Sequence, residues 1–272
     1  MAGARRGGVR GRPRRGRGWL AEISNAVVSV FFPPGCRNRE RVLRSASRVP
    51  LCEECLPSFE RVPNIVCEVC GLPLPGWTQK EGEPLLCPAC RDRTYAFDRA
   101  RSFAVYEDAV VRAILLLKFE QIEPLGGWFA ERLAEVVNAE GARLAADVVV
   151  PVPLHCERER ERGYNQAALL SKPLAKRLRL PHKAVLLMRT RARPGKQVLS
   201  LEERWESVRG AFATRPGSQV DNVRGLLVDD VLTTGVTLDA CARALREAGA
   251  KSVAGLTVAR AVRNPLPSTR EW

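Results

Sequence analysis

Apolar residues recur at different spacings along the chain, and each spacing predicts a different kind of structure. Trp19, Leu20, Ile23, Val27, Val30 and Phe31 fall at helical intervals and stop at Pro33-Pro34, which predicts a short amphipathic helix. From Pro33 to about Asp98 long apolar runs are missing and Cys, Pro and turn residues dominate, so this region lacks the material for a large hydrophobic core. Beyond Asp98 strand and helix patterns alternate. Ala100 to Tyr106 reads as a strand, Ala109 to Phe119 as a helix with apolar residues at 110, 113, 114 and 117, and Leu125 to Ala139 as a second helix. The near-continuous apolar run from Asp147 to Pro153 predicts a buried parallel strand. A helix over about Tyr164 to Leu178, an irregular basic stretch to Leu199 and a short helix from Leu201 to Val208 follow. The chain closes with strand Gly225 to Val228, helix Gly235 to Ala248 and strand Ser252 to Ala259. Parallel strands joined through helices predict an α/β fold with helices on both faces and ligands beyond the carboxyl ends of the strands.

At 272 residues the chain has room for one domain of ordinary size and a smaller one, since domains cluster near roughly 100 to 150 residues. The expected division is a tail over 1–18, a helix and cysteine-rich module over 19–98, an α/β domain over 99–262 and a closing tail over 263–272. The formal charge of +14 is carried unevenly, because seven arginines and no acid fall within the first 18 residues. That Arg/Gly segment cannot bury a core and is expected to be disordered; it is either an inert extension or an arm for phosphate backbones. Glu22, Ser24 and Asn25 interrupt the apolar run that follows, which argues against a signal peptide. No stretch reaches the roughly 18 apolar residues of a membrane span. A cytoplasmic protein is the expectation.

Six of the nine cysteines form Cys-x-x-Cys pairs. Cys67/Cys70 and Cys87/Cys90, separated by sixteen residues, have the spacing of a zinc ribbon, in which each knuckle presents two thiolates to one ion. Cys52 and Cys55 could form a second zinc site with Cys36, but the local sequence supplies no fourth ligand. Cys241, Trp128 and Phe129 read as packing residues, and His155 and His182 as surface or hydrogen-bonded histidines.

The most informative chemistry lies at Asp229-Asp230-Val231-Leu232-Thr233-Thr234-Gly235-Val236-Thr237. Two adjacent acids where a buried strand leaves its sheet can accept hydrogen bonds from the vicinal hydroxyls of a ribose, or hold water on magnesium. Thr233, Thr234, Gly235, Val236 and Thr237 then enter a helix, where backbone amides and the dipole favour a phosphate. Hydrophobic strand, acid pair, Thr-Thr-Gly-x-Thr and amphipathic helix together match the signature for phosphoribosyl pyrophosphate, with Mg2+ as cofactor. Asp229 and Asp230 are therefore the first catalytic candidates. Arg189, Arg191, Arg193 and Lys196 lie on a loop containing Pro194-Gly195 and could close over a departing pyrophosphate; Arg191 and Lys196 join the acids as catalytic candidates.

Pro151 to His155, Arg162-Gly163-Tyr164-Asn165-Gln166, Leu199-Ser200 with Arg204, Gly210-Ala211-Phe212 and the loop 229–237 together resemble the ComF family, over about Trp19 to Ala261. That resemblance implies a type I phosphoribosyltransferase-like parallel sheet joined to an N-terminal zinc-ribbon module. It also implies that Pro153, Leu154, His155 and Arg162 stand on the pyrophosphate side. It further implies a link to DNA uptake in natural competence, with single-stranded DNA and a competence helicase as partners. Where the family has a second Cys-x-x-Cys after Phe-Pro-Pro, this chain has Cys36 and then Arg39. Three functions stay open: a phosphoribosyltransferase with an unknown acceptor, a non-catalytic sensor of phosphoribosyl pyrophosphate, and an accessory protein for single-stranded nucleic acid.

Overall fold

The computed structural model describes residues 35–39, 41, 43, 49–78, 82–192 and 200–262. The arginine-rich tail, the helix expected from Trp19, Lys196 with its neighbours 193–199, and the closing tail lie outside the described residues.

Helix α1 (Pro88–Asp92) belongs to the cysteine-rich region. It is followed by β1 (Arg99–Val105), α2 (Asp108–Phe119), α3 (Glu123–Glu140), a 3-10 turn (Gly141–Leu144) and β2 (Val148–Pro151). Next come α4 (Cys156–Arg162), α5 (Gln166–Leu178), β3 (Leu187–Arg189) and α6 (Leu201–Val208). The chain then forms β4 (Phe212–Thr214), β5 (Arg224–Leu232), α7 (Val236–Glu247) and β6 (Ser252–Arg260).

The main sheet has the order β1-β6-β5-β2, and all its pairings are parallel. Successive side chains of a strand point to opposite faces, and β5 divides accordingly over its first half: Leu226 and Val228 enter one core, Leu227 the other. The first core is closed by α2, α3 and α5, the second by α7 with β3 and β4. The fold is thus a type I phosphoribosyltransferase-like parallel sheet covered on both faces. Helices α3 and α5 meet at Gly126, where a Cβ would lie 2.7 Å from the carbonyl oxygen of Leu169. Any side chain there would force the helices apart.

Three differences from the sequence reading have local causes. Strand β5 does not end at Val228; it continues through both acids to Leu232, because Asp229, Val231 and Leu232 pair with Thr257, Ala259 and Arg260 of β6. The helix expected over Tyr164 to Leu178 is present as α5, but a further helix, α4, precedes it and ends at Gly163, which takes a left-handed φ of 81°. The stretch expected to be irregular contains β3, antiparallel to β4.

Candidate phosphate loop and its supports

The carboxyl ends of β2 and β5 lie side by side, with Pro151 opposite Val228, so the turn after β2 and the acids of β5 share one rim of the sheet. The path of the chain reverses there, since β5 leads to β6 on one side while β2 pairs on the other. Ligands of open α/β sheets bind at such a crevice.

From this rim β5 passes through Thr233 and Thr234 into α7, whose N-cap is Gly235 with φ 83°. Glycine is required there twice over: by the left-handed backbone, and because a Cβ would stand 3.0 Å from Tyr95 Cε1. The loop is held from behind through its carbonyls. Arg260 Nη1 donates to Leu232 O at 3.0 Å and to Thr233 O at 2.6 Å, and Tyr95 Oη donates to Thr234 O at 3.1 Å. Among the described residues no hydrogen bond takes the amide of Thr234, Gly235, Val236 or Thr237. These amides lack intrahelical acceptors by construction and lie at the positive end of the helix. The hydroxyl of Thr234 is buried without a partner. An anion of phosphate size would satisfy such a turn.

The acids before the loop are incompletely satisfied. Asp229 is half-buried and Asp230 is buried. Asp229 Oδ1 accepts from the amide of Asp230 at 2.8 Å, and Asp230 Oδ1 pairs with Lys118 Nζ at 2.9 Å. Asp230 Oδ2 is buried with no partner. Desolvation, and then the adjacent charge of Asp230, push the Asp229 carboxyl up to about 7. Two carboxyls with an orphaned oxygen between them fit a hydrated dication such as magnesium or a pair of sugar hydroxyls.

Lys118 had only a faint signal in the sequence, a cation in the last turn of a largely apolar helix. The Arg162 to Gln166 motif secures that helix. Tyr164 Oη donates to Leu117 O and accepts from the amide of Gln121, both at 3.0 Å. Arg162 stands over the ring of Phe119 at 5.4 Å and bonds Gln166 Oε1. Asn165 caps α5 and donates to Val152 O at 3.0 Å, tying the motif to the turn after β2. In that turn His155 bridges to Arg189 of β3. Arg191 sits at the foot of the segment expected to act as a lid, with Nη2 donating to Arg209 O at 2.6 Å.

The cysteine ribbon adjoins the loop. Sγ atoms of Cys67, Cys70, Cys87 and Cys90 lie within 4.8 Å of one another, all buried. Cys70 and Cys87 approach to 3.6 Å, close to the roughly 3.8 Å edge of a thiolate tetrahedron with zinc–sulfur bonds of about 2.3 Å. Hydrogen bonding, chiefly with Cys70, holds Cys67 far below the thiol range, and bonding chiefly with Cys67 pushes Cys90 far above it. Four thiols so coupled cannot all ionise without a cation among them, so the donor set fits zinc. Arg260, which holds the phosphate loop, also donates through Nε to Cys70 O at 3.2 Å. Ribbon and loop thus share one buried guanidinium. Cys36, Cys52 and Cys55 form a separate cluster within 4.8 Å.

A parallel sheet with an acid pair, an amide-lined turn and a cysteine ribbon behind it defines a phosphoribosyltransferase-domain protein with a cysteine cluster that could hold a metal. Comparison with known proteins agrees. The family described as "Phosphoribosyl transferase domain" matches residues 165–269. The DNA utilization protein YhgH of Escherichia coli is 31% identical over 197 residues, 71% of this chain and 83% of that one. Competence protein F of Haemophilus influenzae is 27% identical over 83% of this chain and 95% of its own length. Competence protein ComFC of Bacillus subtilis is 28% identical over 77% and 84%. Among solved structures, the glutamine phosphoribosylpyrophosphate amidotransferase of B. subtilis aligns with a TM-score of 0.34 at 21% identity, over 50% of this chain and 26% of that longer one. The chain belongs to the ComF family of phosphoribosyltransferase-domain proteins. No described helix is long and apolar enough to cross a membrane.

Proposed function

We propose that the chain binds phosphoribosyl pyrophosphate with magnesium and transfers its phosphoribosyl group to an acceptor nucleophile. One observation carries this reading: unpaired amides at the start of a 12-residue helix stand beside two acids, one of which has a buried oxygen without a partner.

In this reading the 5-phosphate takes the amides of residues 234–237 and the hydroxyls of Thr233, Thr234 and Thr237. The ribose hydroxyls donate to Asp229 and Asp230. Pro153, Leu154, His155 and Arg162 line the pyrophosphate side. Bound magnesium supplies neutralising charge for the pyrophosphate, and the acids are suited to hold it through water. In the transfer, the bond from ribose C1 to pyrophosphate oxygen breaks and pyrophosphate keeps the electron pair. The acceptor's lone pair forms the new bond, and its proton passes to solvent. Arg191 and Lys196 stabilise the charge that grows on the departing group. The relatives' names, competence protein and DNA utilization protein, support a setting in the handling of DNA; single-stranded DNA and a helicase are the partners we propose for it.

Calorimetry with phosphoribosyl pyrophosphate and magnesium tests the site before any acceptor is known. Wild type should bind. Asp229→Ala/Asp230→Ala should lose roughly 100-fold in affinity, the effect of two hydrogen bonds to charged groups. Absence of binding by wild type overturns the reading, and binding without pyrophosphate release across acceptors selects a sensor.

A further inference from the structure

The two cysteine clusters are built on the same backbone pattern. In the ribbon beside the phosphate loop, Cys67 N donates to Leu72 O at 2.8 Å and the turn covers 68–70. In the preceding segment, Cys36 N donates to Arg41 O at 2.6 Å, over the same five-residue offset, and the turn covers 37–39. The facing knuckles correspond as well. Cys55 N and Leu56 N both reach Cys52 O, at 2.9 and 3.2 Å, as Cys90 N and Arg91 N reach Cys87 O, at 3.0 and 3.1 Å. Residues 36, 52 and 55 therefore match 67, 87 and 90, and the corner held by Cys70 in one copy falls to Arg39 in the other.

The three thiols are arranged as a donor set. Their Sγ atoms lie within 4.8 Å, with Cys36 to Cys55 at 3.7 Å and Cys52 to Cys55 at 3.4 Å. The Asn38 amide donates to Cys55 Sγ and the Cys52 amide to Cys36 Sγ, both at 3.3 Å. Such outer contacts orient metal-bound sulfur. Arg39 does not enter the cluster; Glu54 Oε2 holds its guanidinium at 2.9 Å, and the pair is exposed. Arg41 joins the same carboxylate at 2.8 Å. Cys36 and Cys55 are buried, whereas Cys52 is partly exposed, so solvent reaches one side of the cluster. Among the described residues no other Cys, His, Asp or Glu joins the three.

We propose that Cys36, Cys52 and Cys55 form a second zinc site with three thiolates, whose fourth corner, at the position of Arg39, is filled by an exchangeable ligand from solvent. Three protein ligands and one open position distinguish an exchangeable zinc from a closed structural one. Three thiolates around a dication leave one negative charge, and the amide donors from Asn38 and Cys52 stabilise it. The site is independent of the phosphoribosyl reading.

The test uses the full chain purified with zinc. Wild type should carry two equivalents by elemental analysis, and a chromogenic chelator should strip one while the other stays until the thiols are blocked. Cys36→Ser should reduce the content to the one retained equivalent. Arg39→Cys, which sacrifices only an exposed ion pair, should close the corner and make both equivalents resist the chelator. In cobalt-substituted protein, 2-mercaptoethanol should shift the absorption of one cobalt in wild type and of neither in Arg39→Cys. The proposal is overturned by a wild type with a single zinc that Cys36→Ser leaves unchanged. It is equally overturned by two resistant zincs in wild type, which would place a fourth protein ligand on the site. If Cys36→Ser fails to fold, Arg39→Cys and the cobalt spectra decide alone.

Discussion

The carbonyls of Leu232, Thr233 and Thr234 all accept hydrogen bonds from Arg260 or Tyr95, whereas of the two carboxyls just upstream only that of Asp230 pairs with a cation, Lys118. The protein thus fixes the shape of the loop by itself and leaves the charge of the acid pair to be completed from outside. Such a division suits a sugar-phosphate ligand. Phosphate needs donors already in place, because reorganising a backbone turn would consume binding energy. A hydrated cation or a hydroxyl pair needs acceptors that are not yet engaged.

Four changes probe this contrast, taken from the largest expected effect to the smallest. Arg260→Met removes the donor to four carbonyls in a buried setting, and should cost about 3 kcal/mol in denaturant unfolding as those acceptors are orphaned. Affinity for phosphoribosyl pyrophosphate should fall with it; an unchanged midpoint would mean that the loop holds its shape unaided. Lys118→Met leaves Asp230 without a counter-charge and should cost about 2 kcal/mol in the ligand-free protein, less than a fully buried pair because the lysine is partly exposed. Magnesium-dependent binding should survive this change, because an external cation takes over the neutralisation. Loss of binding together with stability would make Lys118 a ligand contact.

The third probe is pH. Asp229 titrates near 7 in the folded protein against 3.8 for an ordinary aspartate, so the folded state keeps a proton that the unfolded chain has lost. Stability of the ligand-free protein should therefore fall as pH rises between those values, then level off. In the proposed reading the ligand needs the ionised carboxyl, so below pH 7 its binding should release a proton. Calorimetry at about pH 6.5 in buffers of different ionisation enthalpy reads that proton directly, and equal heats would show that Asp229 is already ionised. Smallest is Tyr95→Phe, which removes one bond to Thr234 O and should cost about 1 kcal/mol without altering the acid pair; a larger loss of affinity than of stability would give the hydroxyl a role at the ligand.

Much of the architecture was legible in the sequence, because the strands and helices that cover the sheet carry strong local periodicity. The helix α6 was found within its boundaries, and α7 within a residue at each end. The turn from β5 into α7 was legible for a different reason: its residues are contiguous. What stayed hidden is what acts across the chain. Tyr95 meets Thr234 over 139 residues, and Arg260 meets Cys70 over 190. Neither residue sits in a motif, and a buried arginine at the end of a strand resembles an ordinary flanking charge until its four acceptors are seen. The extension of β5 through its acids was hidden too, since two carboxylates read as a strand end unless the pairing with β6 is known.

Arg260 closes β6, the last strand in chain order among the described residues. The residues of the loop therefore leave the ribosome before the group that braces them, and the contact from β6 back to Cys70 spans most of the chain. Such long-range closure belongs to the late part of folding. A nascent or clipped chain that stops short of β6 lacks both the strand between β1 and β5 and the guanidinium that braces loop and ribbon together.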